Sequence, residues 1–149
     1  MTRSAIAYFT NNRLIVAPVS RSVGGDALAG APRWFGRSAK KAIVAQAIAE
    51  ALAQSADGLP DPDEAYWKGR FIPFQDAADV KNFKTFMRDA RCVDIDASDD
   101  GVTLTPSTNL GPNNGFEPVV EAAVTVSAND MDAVTGTLLH LFGLRPAAG

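Results

Sequence analysis

The spacing of apolar residues changes abruptly at Ala90, and this change constrains the chain more than any other feature. Before it, Val80, Phe83, Met87 and Ala90 recur at helical spacing, with Asp79 placed to cap the first turn and Asp76 just ahead of it. After it the period is two. Val93 and Ile95 alternate with Cys92, Asp94 and Asp96, and Val102 and Leu104 alternate with Thr103 and Thr105, around a turn at Asp99-Asp100-Gly101. A helix therefore feeds a hairpin with one apolar face and one carboxylate-rich face.

The preceding segments supply the expected neighbours. Ile6 to Phe9 and Leu14 to Val19 read as strands joined at Thr10-Asn11-Asn12-Arg13, because adjacent asparagines tolerate the left-handed conformation of a tight turn. Leu14 and Val16 point one way and Ile15, Ala17 and Val19 the other, so this hairpin belongs mid-sheet with cover on both sides. Pro18 is expected to limit pairing late in the second strand. Ser20 to Pro32 reads as a loop without a phosphate-binding motif, and Arg33-Trp34-Phe35 as a short strand. Ser38 is the expected cap of a helix to Gln54 with the stripe Ile43, Ala47, Ile48, Ala51 and Leu52. Lys40 and Lys41 in its first turn oppose the helix dipole. Past a linker at Asp57 to Pro62, Asp61 caps and Pro62 opens a helix carrying Tyr66 and Trp67, which Pro73 ends or bends.

Pro106 to Pro118 reads as a long polar connection, a place where rigid scaffolds display recognition residues. Ala122, Val124 and Val126 form the last strand. Asn129 then caps a helix that buries Val134, Leu138, Leu139, Leu141 and Phe142 and stops at Gly143, with Pro146 beyond. The strand, serine and helix at Ser38 resemble those at Ser127, with the helical stripe recurring at similar spacing. These elements predict one α/β (α+β) domain over residues 1–149, in the order ββαααβββα, with a largely antiparallel sheet and three to four packed helices. The expected core is Ile6, Leu14, Val16, Ile48, Leu52, Phe83, Val93, Ile95, Leu104, Val124, Val126, Leu138 and Phe142.

At 149 residues and 46% hydrophobic, the chain is large enough to bury a core without disulfide or metal. Cys92 cannot pair within the chain and reads as a half-buried structural thiol suited to a reducing, cytoplasmic compartment. No stretch approaches the apolar length of a membrane helix. His140 is the sole histidine and falls in the oily C-terminal helix, which leaves triads and histidine metal sites unsupported. Asp94, Asp96, Asp99 and Asp100 lack calcium-loop spacing. The expectation is therefore no cofactor, no metal and no catalytic residue. Charge is sorted along the chain: residues 1–41 hold seven bases and one acid, and residues 42–149 hold seven bases and sixteen acids. Sorting of this kind implies opposite poles if the two segments occupy different surfaces, the acidic one attracting basic partners and repelling nucleic acid.

The runs Ala5–Val19 (AIAYFTNNRLIVAPV), Trp67-Lys68 with Pro73, Ala77–Ile95, Gly101–Gly111, Gly115-Phe116 and Val124–Phe142 together resemble the immunity proteins of bacterial contact-dependent growth inhibition systems. The departures are Lys40-Lys41, where acids are expected, and the inserted-looking GPNNG. The resemblance implies a cytoplasmic, non-enzymatic protein that binds a cognate toxin domain, expected to be a nuclease, as a heterodimer and occludes its active site, with no direct contact to nucleic acid or membrane. The expected toxin-binding residues are Asp94, Asp96, Asp99, Asp100, Asn109, Asn113, Asn114 and Glu117, with Phe116 or Trp67 as a buried anchor. A competing surface is the basic segment with Arg33, Arg37, Lys40 and Lys41. The alternative functions are a small carboxylate-dependent hydrolytic enzyme and a structural or assembly subunit of a secretion system.

Overall fold

The structure is a computed structural model and describes residues 2–144. Two antiparallel hairpins lie side by side at its centre. β1 (Arg3–Thr10) and β2 (Arg13–Arg21) form one, β5 (Arg91–Ser98) and β6 (Gly101–Asn109) the other, and β1 pairs antiparallel with β5. Each outer strand carries two short strands in tandem. β3 (Ala27–Ala29) and β4 (Arg33–Gly36) pair with β2, and β7 (Phe116–Pro118) and β8 (Val124–Val126) pair with β6. All eight strands make one sheet, antiparallel as predicted, but the element order is ββββααααββββα rather than ββαααβββα, because each half adds short flanking strands and the middle segment breaks into an extra helix. The helices are α1 (Lys41–Gln54), α2 (Glu64–Gly69), α3 (Ile72–Ala78), α4 (Phe83–Met87) and α5 (Met131–Leu141). None is long and apolar enough to cross a membrane.

The arrangement is a repeat. Thr10↔Arg13 closes the first hairpin and Ser98↔Gly101 the second, so residue i of the first half corresponds to i+88 in the second (98 − 10 and 101 − 13). Under that offset Leu14 matches Val102, Val16 matches Leu104, and Pro18 matches Pro106. The central pair Ile6↔Asp94 consists of two equivalent positions, which puts a pseudo-two-fold axis between them. β4 holds the turn end of β2 at Arg13–Val16 and β3 the far end at Val19–Arg21; β8 and β7 hold β6 in the same way, at Val102–Leu104 and Ser107–Asn109. Each proline falls in the gap between flanking strands. Pro18 thus limits pairing late in β2, as expected, on the side of the short strands only, and β2 continues to Arg21. The two long helices match as well, at an offset two residues longer: Val44, Ile48 and Leu52 of α1 recur as Val134 and Leu138 of α5 and Phe142 at its end, all buried. The likeness seen between the Ser38 and Ser127 segments is the end of this longer repeat.

Apolar residues fill both faces of the sheet, so the expected single core is two layers. On one face Ala5, Ala7, Leu14, Val16, Val93, Ile95, Val102 and Leu104 meet α1 and α5. On the other Tyr8, Ile15, Ala17 and Cys92 meet Phe74, Ala77, Ala78, Phe86 and Met87 of α3 and α4. The first hairpin is covered on both sides, as its sequence requires. Ile6 and Phe83, assigned to the core, lie half-buried against the second layer, and Val126 against the first. Val124 is 40% exposed because β8 is an edge strand, and Ala122 lies in a 3₁₀ turn (Val120–Ala122) rather than in the strand.

Several local expectations are corrected. Asp79 does not open a helix; it ends α3 in the left-handed conformation (φ 59°), and Asn82 caps α4 by accepting from Thr85 N. The spacing of Val80 and Phe83 therefore spans a break, and Pro73 opens α3 instead of ending α2. Asp63, not Asp61, caps α2 through Tyr66 N, while Asp61 accepts from Gly24 N at 2.9 Å. Asp130, not Asn129, caps α5. Lys40 is the cap position of α1 with no side-chain bond, so Ser38 does not cap it; Ile43 is 47% exposed and Val44 takes the buried place. β3 lies inside the segment read as a loop, and β6 and β7 occupy most of the predicted Pro106–Pro118 connection, leaving a tight turn at Gly111–Gly115. Gly143 (φ 71°) ends α5 as expected, with Leu144 N donating to Leu139 O; Pro146 lies outside the described residues.

Sorted charge does not become opposite poles. Because β1 and β5 are neighbours, the basic segment interleaves with the acidic one: Lys41 pairs with Asp132 at 3.2 Å, Arg33 with Glu50 at 2.7 Å and Arg13 with Asp79 at 3.9 Å. Lys41 stands where the starts of α1 and α5 approach, and Asp132 in the first turn of α5 offsets its unfavourable position.

Candidate functional site

On the sheet face that carries α3 and α4, the helical layer covers only part of the surface. Past its edge, between α2, the far ends of β1 and β2 and the middle of β5, lies a cavity of about 380 Å³. Alternation along β5 turns Val93 and Ile95 into the opposite layer, so Asp94 and Asp96 must face this cavity. They form part of its floor, roughly 6.5 Å apart along the strand at the rise of a β-strand per residue. Ser4, across from Asp96 on β1, donates its hydroxyl to Asp96 Oδ1 at 2.7 Å. Arg21 and Arg70 are exposed at the rim, and Tyr66, Trp67, Phe71 and Phe74 supply apolar wall.

The two carboxylates are not equivalent. Burial pushes the Asp94 carboxyl up, the negative charge of Asp96 adds to this, and Arg21 opposes it. Among the described residues neither aspartate has a cationic nitrogen within 4.0 Å, and Asp94 receives no side-chain hydrogen bond. Deeper in the layer, burial raises the Cys92 thiol and the Tyr8 hydroxyl well above their usual ranges, with Asp94 contributing to both. Cys92 is thus a buried, protonated thiol, lying deeper than the half-buried position expected of it because α3 and α4 cover this part of the sheet.

A second depression of about 620 Å³ lies on the other side of Trp67, Arg70 and Phe71, which line both. Its remaining wall is the turn carrying Asn113 and Asn114, with Phe83, Met87 and Phe116 below. Arg70 is held over the rings of Trp67 and Phe71 at 5.4 and 5.2 Å. α2 therefore acts as a strap between the sheet floor and the turn. It is short, with Asp63 capping its start and Tyr66 and Trp67 edge-to-face at 5.2 Å.

Of the residues singled out from sequence, Asp94 and Asp96 share the first cavity and Asn113 and Asn114 line the second, with the exposed Glu117 following on β7. Asn109 is committed internally: its amide donates to Met87 O and Ala90 O and its carbonyl accepts from Gly111 N. Asp99 and Asp100 are exposed at the opposite end of the hairpin from the Asn113 turn, roughly 25–30 Å away along β6. The structure does not gather all eight residues on one patch. Trp67 is half-buried between the depressions, and Phe116 packs on Tyr8 with ring centroids 5.7 Å apart. Ser4, Arg21, Tyr66 and Arg70 were not legible as site residues. They come from segments distant in sequence, and only the β1–β5 pairing and the placement of α2 bring them to the aspartates.

No family model matches the chain, and no curated protein matches it. Solved structures share its fold, two among them being as follows. One is a protein of unknown function from Neisseria meningitidis, with TM-score 0.77 and 15% identity over 97% of this chain and 96% of that one. The other is a chain of the CdiA-CT/CdiI toxin and immunity complex from Yersinia pseudotuberculosis, with TM-score 0.75 and 12% identity over 95% of each chain. At such identities the likeness is one of fold.

Proposed function

We propose that the chain is an immunity protein that binds and neutralises one cognate contact-dependent growth inhibition toxin domain. The observation that carries this reading is the match of the whole fold to a chain of a toxin and immunity complex. The toxin is inferred to be a nuclease, whose phosphate-binding cleft is basic, and occlusion of that cleft is the proposed mode of neutralisation. A surface bearing carboxylates can cover such a cleft and speed encounter with it. The contact surface proposed is the open part of the sheet face: Asp94 and Asp96 in the first cavity, then Asn113, Asn114 and Glu117 around the second. Asp99 and Asp100, far from both, act by long-range steering and fade with salt.

Expression of the chain in cells producing the toxin domain encoded beside its gene tests the reading. Rescue of growth with recovery of a one-to-one complex is the expected outcome, and unchanged killing by a toxin that the purified chain does not retain would refute it. One observation favours a second reading, a carboxylate-dependent hydrolase: two carboxylates share a cavity and one has a raised pKa. Turnover that survives repurification and is lost in Asp94→Asn would establish that alternative.

A further inference from the structure

We propose that the cavity beside α2 is a socket for a single arginine side chain presented by the protein partner. This rests on the immunity-protein reading and assigns one anchor of its interface. Charge in the cavity is sorted by depth: Asp94 and Asp96 are on the floor, half-buried, and Arg21 and Arg70 are exposed at the rim. An entering group therefore meets negative charge where water is scarcest and interactions are strongest. The floor is short of donors, since Asp94 has no side-chain donor among the described residues and Asp96 has only the Ser4 hydroxyl. A guanidinium brings five N–H donors in a planar fork, enough to serve both carboxylates, and remains charged beside them.

The walls fit the rest of such a side chain. Tyr66, Trp67, Phe71 and Phe74 form an apolar sleeve for three methylenes, and aromatic faces attract a guanidinium. Arg70 already lies over two of these rings, so the site's own geometry shows that they accept one. The volume lies in the range of sites that enclose a compact ligand group. Arg21 and Arg70 at the rim would repel a purely basic segment, so the partner's arginine is expected to have an acidic neighbour facing them. A basic residue seated in a desolvated acidic pocket has the character of an interface hot spot, whereas the exposed turn at Asp99 and Asp100 has the character of a rim.

The probe is N-acetyl-L-arginine amide, which carries the side-chain charge alone, titrated into the purified chain and followed by the backbone and indole amide resonances. The expected result is saturable shifts at Ser4–Tyr8, Cys92–Asp96 and Trp67, weakened at least tenfold in Asp94→Asn/Asp96→Asn and also in Trp67→Leu. N-acetyl-norleucine amide should not produce them. Shifts spread evenly over surface carboxylates, equal binding by the double variant while its spectrum stays folded, or stronger binding of N-acetyl-L-aspartate amide would each overturn the socket. The parent reading fails differently. A chain that protects cells but whose Asp94→Asn/Asp96→Asn variant holds the toxin domain with unchanged Kd refutes the socket alone. A chain that takes the arginine probe as described but gives no protection keeps the socket and refutes the toxin reading.

Discussion

The two halves of the sheet are built to one plan and treated differently. On the face toward α1 and α5, equivalent positions carry equivalent residues: Leu14 and Val102, Val16 and Leu104, Ala7 and Ile95 are all buried and apolar. On the other face the first half has Ile6, Tyr8, Ile15 and Ala17 where the second has Asp94, Asp96, Thr103 and Thr105. The difference follows the segment between the halves. α3 and α4 fold back over β1 and β2 and leave β6 largely uncovered, so apolar side chains are favoured under them and polar ones beyond them. Thr103 and Thr125 hydrogen-bond to each other at 2.9 Å in the open part. The site lies at the border between the covered and open parts, where carboxylates are partly desolvated without being sealed in.

The largest effect should come from breaking the covered side. Phe86 is fully buried and sits edge-to-face on Tyr8 at 5.3 Å, so Phe86→Ala should cost about 3–5 kcal/mol in a denaturant titration. Thr125→Ala, on the open side, should stay within about 0.5 kcal/mol. Comparable losses from the two would mean that the open side is covered as well. A sharper test exchanges equivalent positions. Ile15→Thr removes packing and buries a hydroxyl, at about 2–4 kcal/mol, whereas Thr103→Ile at the matching place should change stability by less than about 0.5 kcal/mol. If both changes cost the same, the asymmetry between the halves is not what sets these residue types.

The parts of this plan that were legible in sequence are those fixed by local chemistry. Asn11 and Asn12 at positive φ, and Gly101 at φ 131° with the Val126 carbonyl pressed against it, specify the two hairpin turns. Two-sided hydrophobicity placed β1 and β2 mid-sheet, and Val134, Leu138 and Phe142 gave the face of α5. What failed was local chemistry with competing solutions. Asp61, Asp63, Asp79, Asn82, Asn129 and Asp130 are all plausible caps, and the pattern alone does not choose among them: Asp61 is taken by a tertiary contact to Gly24 N, and Asp79 by the left-handed end of α3. The site was half legible for a related reason. Alternation put Asp94 and Asp96 on one face, but whether that face is open or covered depends on a segment whose path over the sheet leaves no periodic signal.

The smallest predicted effect probes that border directly. Desolvation, with Asp96 adding to it, raises the Asp94 carboxyl above the ordinary value of 3.8, so folding disfavours its ionised form. For a group raised in this way the contribution to stability is full below the unfolded value and is lost as pH rises through the folded one. The wild-type chain should therefore lose stability from this group as pH rises from about 4 into the neutral range, and Asp94→Asn, which cannot ionise, should lose less over the same interval. Ile6, the equivalent position across the pseudo-axis, carries no charge, so the slope is a property of the open half alone. A cation seated on the floor of the cavity reverses the argument, because it favours the ionised carboxylate. Saturating N-acetyl-L-arginine amide should then flatten the wild-type slope and leave Asp94→Asn unchanged. Melting curves from pH 4 to pH 7, with and without the amide, measure both; a variant slope equal to the wild-type slope would place Asp94 outside the border that the two halves define.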